Sequence, residues 1–133
     1  MSLLLLLLAP ALRGEDCGAW AGADPSPWRP HPRSAQAQIQ TLQGDPAEPG
    51  LFRYRLRLAP GARLPAHRHD APLSATLLCG QLLLWRDGRA LAEVWHPGGF
   101  VRIGADEVHA EGADRDTLIE VSGVGPLRTL APP

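Results

Sequence analysis

Between Phe52 and Leu58 the chain alternates strictly, with Phe52, Tyr54, Leu56 and Leu58 set against Arg53, Arg55 and Arg57. Successive side chains of a strand point to opposite faces, so this stretch predicts a strand with one apolar and one wet face. The three arginines read as that solvated face; an anion site built from them is the sharper alternative. Similar short apolar runs predict strands over Ala35–Leu42, Arg63–His69, Leu73–Cys79, Gln81–Arg86, Ala90–Trp95, Phe100–Ile103, Thr117–Ser122 and Leu127–Leu130. Turn chemistry separates them: Gly44-Asp45-Pro46 and Pro49-Gly50, Pro60-Gly61, Gly80, Pro97-Gly98-Gly99 and Gly104-Ala105-Asp106. Asp87-Gly88 is a two-residue hairpin signal. No stretch carries a convincing amphipathic helix. About ten short strands at regular spacing imply an all-β sandwich or barrel.

The first quarter of the chain breaks this pattern. Six leucines, Leu3 to Leu8, run into Ala9-Pro10-Ala11-Leu12. The run is shorter than the about 20 residues that a membrane-spanning helix needs. It reads as the apolar core of a secretory signal with Ala9-x-Ala11 as a small-residue cleavage site, although no Lys or Arg precedes the leucines. The alternative is a greasy segment that packs on the domain. The expected organisation is a signal segment at 1–14, an irregular arm at 15–35 with Trp20 and Trp28 as anchors, and a β-barrel domain at 36–131. It predicts a periplasmic or secreted protein without a transmembrane span in the mature chain, a cytoplasmic one being the alternative.

Composition changes this picture little. A length of 133 residues suits one domain with an N-terminal extension, and 14 glycines and 14 prolines suit tight turns. The net charge is -1 and no basic block or stripe occurs, which argues against nucleic acid as a partner. There are two cysteines, Cys17 and Cys79, and no C-x-x-C, so a zinc ribbon or a thioredoxin-like site is not supported. The plain reading is a tail thiol and a buried one. A Cys17–Cys79 disulfide is possible in an oxidising compartment, but sequence alone does not bring the two residues together.

The candidate chemistry lies in Gly61-Ala62-Arg63-Leu64-Pro65-Ala66-His67-Arg68-His69. Two residues apart on a strand, His67 and His69 face the same way and can offer adjacent corners of a metal coordination sphere. His109 follows a second glycine-punctuated stretch. For any single histidine, a packed or hydrogen-bonded core position is the plainer reading. His31 in the arm and His96 beside a Pro-Gly-Gly turn read as surface residues.

These residues resemble the two sequence motifs of the cupin superfamily, small jelly-roll β-barrels. Gly61, His67, His69 and Gly80 fall at the spacing of the first motif. Gly98 and His109 fit the second, with Gly104 in place of its proline and Asp106 in place of its glycine. The resemblance covers about residues 36–131. Gly44-Asp45-Pro46, Pro49-Gly50-x-Phe52 and Gly123-Val124-Gly125-Pro126 are similar to a group of small, often exported and mostly uncharacterised bacterial cupins. One departure matters: Leu73 stands where the family has a metal-binding glutamate. The ligand set that the resemblance implies is therefore His67, His69 and His109. Three-histidine catalytic sites exist, and some cupin-like thiol dioxygenases lack the glutamate. Among substitutes, Asp70 faces away on a regular strand and Ser74 is a poor ligand, whereas Glu111 can share a face with His109.

The resemblance implies a divalent transition metal (Fe, Mn, Zn, Ni or Cu), a small-molecule ligand or substrate in the barrel, and pairing as a homodimer. Its enzymatic form is a metal-dependent oxygenase or isomerase-like enzyme. No general base is evident, and neither Arg102 nor Trp85 can be assigned to a pocket. The alternative is a non-catalytic or degenerate cupin that acts as a small-ligand binding or sensing module without metal.

Overall fold

A computed structural model describes residues 17–133. The expected signal segment lies outside the described residues. Among the described residues, eleven strands follow one short helix, and they form two antiparallel sheets. The six-stranded sheet has the order β1 (Trp28–His31), β2 (Ser34–Gln43), β3 (Gly50–Leu58), β10 (Thr117–Gly125), β5 (Leu73–Cys79), β8 (Phe100–Ile103). The five-stranded sheet has the order β11 (Thr129–Leu130), β4 (Arg63–His69), β9 (His109–Gly112), β6 (Leu82–Arg86), β7 (Glu93–Trp95). One apolar core, with Phe52, Leu56, Leu77, Leu84, Ile103 and Ile119 among its residues, fills the space between them. The fold is all-β, a jelly roll. Strands β4, β5 and β8 have the bounds that the pattern predicts.

The glycine and aspartate turns explain themselves. Gly80 has a φ of +84°, and a Cβ there would run into the backbone of Asp116 and Thr117. Asp106 also has a positive φ, 61°. It stands where the second cupin motif has glycine, and aspartate is among the few other residues that tolerate the left-handed region. Its backbone N–H donates to His69 O at 2.6 Å, and its carboxylate accepts from Arg68 at 2.7 Å.

The arm is more ordered than its composition predicts. It forms helix α1 (Cys17–Ala21) and strand β1, which pairs with β2. Cys17 and Cys79 form a disulfide. With Leu118 they make a separate buried cluster, against which Trp20 and Trp28 pack. A register shift between Leu118 and Ile119 sets Cys79 opposite Leu118 and away from the main core. Gln40, fully buried, donates to the carbonyls of Asp24 and Ser26 and ties the arm down further.

This covering changes the arginine face. Arg53 stays exposed, but the Arg55 side chain is 11 % exposed and bonds Glu120 and Trp20 O. Arg57 makes a two-pronged contact with Asp116. Alternation reports which side chains leave the core, whereas what then covers them is decided by a distant segment. Among the described residues, no helix is long and apolar enough to cross a membrane.

Candidate metal centre

Strict alternation along β4 would set Leu64 and His67 on opposite faces, yet both are buried. The register against β9 explains this. Leu64 lies opposite Glu111 and His67 opposite His109, so β4 spends three steps where β9 spends two. The extra residue is a β-bulge at Pro65-Ala66, a place where proline costs no ladder hydrogen bond. It resets the parity of the strand, so that Leu64, His67 and His69 all face inward.

His67, His69 and His109 converge, with ligand atoms within 4.8 Å of one another. Ring centroids lie 4.3 Å apart for His67 and His109 and 5.0 and 5.2 Å for the pairs with His69. All three are buried, His109 at 1 % exposure. Each ring is held through Nδ1. His67 Nδ1 donates to Pro65 O at 2.8 Å, and His109 Nδ1 donates to Glu107 O at 3.0 Å. A carbonyl can only accept, so these contacts set the tautomer and leave a lone pair on Nε2. His69 Nδ1 pairs with Thr129 Oγ1 at 3.0 Å. Such outer contacts are how metal-binding histidines are oriented. His109 Nε2 is buried and makes no hydrogen bond. A buried polar atom without a partner is costly, and a metal ion would satisfy it. The residues present therefore fit a divalent transition ion.

Burial pulls the His67 imidazole below its ordinary value, and it pulls His69 down to about 4 with help from the neighbouring His67 and His109. Neutral imidazole is the form that ligates. For His109, burial acts downward, but the nearby negative charge of Glu111 prevails and holds it up. Glu111 Oε1 lies 3.3 Å from His109 Nε2 and 3.6 Å from His67 Nε2.

His67 and His69 open onto a cavity of about 240 Å³, with His109 behind them and not among its lining residues. Its wall is mostly apolar and includes Leu56, Leu73, Ala75, Ile103 and Val121 from the six-stranded sheet. Leu73, at the position of the missing glutamate, belongs to that wall and to the core. Asp70 turns away to bond Arg128. Ser74 points to the opposite side of β5 from Leu73. His96 is exposed.

His31 departs from the expected surface position. It lines the cavity together with Arg29 and Arg33, and burial lowers its pKa. Composition hides this role, because the arm has no periodicity to orient a side chain. Tyr54 also lines the cavity, and burial pushes its phenol up, so it stays protonated. Its inward direction was legible in the β3 alternation. Arg102 and Trp85 are not among the lining residues.

No protein-family profile matches the chain, and no curated protein does. Solved structures do. The polyketide cyclase RemF from Streptomyces resistomycificus matches with a TM-score of 0.65 at 18 % identity, over 78 % of this chain and 79 % of that one. An RmlC-like cupin from Shewanella frigidimarina NCIMB 400 matches at 0.64 and 13 %, over 75 % and 84 %. The chain has the cupin fold. A third similar structure is the DMSP lyase DddQ from Ruegeria pomeroyi DSS-3, with a TM-score of 0.63 at 22 % identity. That match covers 75 % of this chain and 56 % of the lyase, so this chain spans little more than half of that enzyme's length.

Proposed function

We propose that this cupin is a metal-dependent enzyme that holds one divalent transition ion on His67, His69 and His109 and takes a small organic molecule into the cavity beside it. The buried His109 Nε2, which makes no hydrogen bond and converges with two oriented imidazoles, carries the reading. When bound, the ion supplies Lewis acidity toward an oxygen or sulfur group of the substrate. The chain's own residues do the rest. The Nδ1 contacts hold the imidazoles in position, the apolar wall excludes water, and the Tyr54 phenol offers a proton donor within the cavity. Arg29 and Arg33 at the lining favour a substrate with an anionic group beside an apolar body. Similar structures carry the names of a lyase, a cyclase and a dioxygenase, which supports enzymatic use of this fold and leaves the reaction class open to assay. The Cys17–Cys79 disulfide supports a site of action outside the reducing cytoplasm.

A second reading, a small-ligand binding module without turnover, is favoured by Leu73 and its apolar surroundings. Elemental mass spectrometry of the untagged protein tests the first reading. About one divalent ion per chain is expected, lost in His67→Ala and in His109→Ala. Protein that carries no metal and ignores added Fe(II), Mn(II), Ni(II) and Zn(II) would sink it in favour of the binding module. With metal established, oxygen consumption and product formation with small thiols, diols and carboxylates separate the enzyme from the module.

A further inference from the structure

We infer that Glu111 is the fourth protein ligand of this centre, a carboxylate supplied by β9 of the five-stranded sheet in place of the one that Leu73 removes from β5. The inference rests on the three-histidine reading above and adds a donor to it. Glu111 is two residues after His109 on β9, so both side chains point into the barrel. Its side chain is 14 % exposed. Among the described residues no arginine bonds it. Its near polar neighbours are His67 Nε2 at 3.6 Å and His109 Nε2 at 3.3 Å.

Those two spacings are informative. Ligand atoms about 2.0–2.1 Å from a first-row ion stand roughly 3.0 Å apart in an octahedral arrangement and about 3.4 Å apart in a tetrahedral one. Glu111 Oε1 thus already stands from each of the two Nε2 atoms at close to the spacing of neighbouring corners of one coordination polyhedron. The electrostatics agree. A carboxylate enclosed by an apolar wall is expensive unless a positive charge faces it. A dication held by the three histidines would supply that charge. Conversely, three neutral histidines leave both charges of the ion uncompensated by protein, and Glu111 offsets one of them. Leu73 and Glu111 lie on opposite sheets, so an alignment to the family pattern registers only the loss.

Isothermal titration of the metal-free full chain with Zn(II) tests this, with wild type, Glu111→Gln and His67→Ala compared. Glu111→Gln keeps shape and removes charge. It is expected to weaken Zn(II) affinity by at least about tenfold and to leave the far-ultraviolet circular dichroism unchanged. A crystal structure of Zn(II)-loaded wild type gives a second readout that does not depend on the variant folding. A Glu111 oxygen about 2.0–2.2 Å from the ion is expected. Glu111→Gln binding Zn(II) as tightly as wild type, or a Glu111 oxygen more than about 3 Å from the ion, would overturn the assignment while His67→Ala still lost metal and the three-histidine centre stood. Wild type that takes up no Zn(II), Fe(II), Mn(II) or Ni(II) would overturn both together.

Discussion

The two sheets divide the work of this molecule. His67, His69, His109, Glu111 and the supporting Thr129 all sit on β4, β9 and β11 of the five-stranded sheet. Across the cavity, the central strands of the six-stranded sheet present leucine, isoleucine, valine and alanine, with Tyr54 as their polar exception. One sheet holds the proposed donors, and the other lines the cavity with apolar side chains, dry surroundings in which such donors act more strongly than in water. The sheets also differ in what covers their outer faces. The arm and its disulfide lie on the six-stranded sheet, so the wall is braced from behind. If chemistry and stability are separated in this way, changes on one sheet should move stability and changes on the other should move metal binding.

The largest expected effect is on the braced side. Removing the Cys17–Cys79 bond, whose partners are 62 residues apart, is expected to cost about 4 kcal/mol by the loop-entropy relation. Urea unfolding of the Cys17→Ala/Cys79→Ala double variant checks this, and Zn(II) stoichiometry should persist where the variant is still folded. Next comes the wall itself. Leu56→Ala deletes a side chain that is 4 % exposed and should cost about 2–3 kcal/mol, the lower part of the range for such truncations because the side chain borders an existing cavity. Loss of metal binding in folded Leu56→Ala protein would show that wall and ligands are one unit and would break the comparison.

The smallest effect sharpens the comparison from the ligand side. His69 titrates at about 4 in the folded protein against an ordinary 6.5. Between these values the unfolded chain binds a proton that the folded chain refuses. Stability therefore falls as pH drops from 6.5 toward 4, and the His69 contribution vanishes above that window. His109, held up by Glu111 against its own burial, acts in the opposite sense. The His69 contribution is thus read as a difference. Metal-free wild type should lose more stability than His69→Gln between pH 7 and pH 5, in paired thermal melts. Equal losses would count against a buried, neutral His69.

Much of the fold was legible along the chain. The period-two pattern of Phe52 to Leu58 and the glycine turns around Leu73–Cys79 and Phe100–Ile103 fix strands locally, because sterics at single residues decide them. The histidine spacing was equally local. The bulge at Pro65-Ala66 was not, since it exists only relative to β9 and shows in the register of two strands. Nor did the arm reveal that His31 turns toward the cavity, or that its helix covers Arg55.

By itself, then, the sequence determined an all-β barrel, the inward H-x-H pair with His109 as its third member, and the absence of a carboxylate at Leu73. The barrel and the same-face pair follow from alternation, turn chemistry and spacing, all of which act over a few residues; His109 as third member and the missing carboxylate at Leu73 are what the resemblance to the cupin motifs implies. Only the tertiary structure decided that Cys17 meets Cys79, that the wall opposite the histidines is apolar, and that Glu111 stands 3.3 Å from His109 Nε2. Each of these is a distance between side chains whose direction or neighbours a pattern within one strand does not fix. Sheet pairing, the register shift on β10 and the bulge on β4 set such distances, and they are properties of the packed pair of sheets.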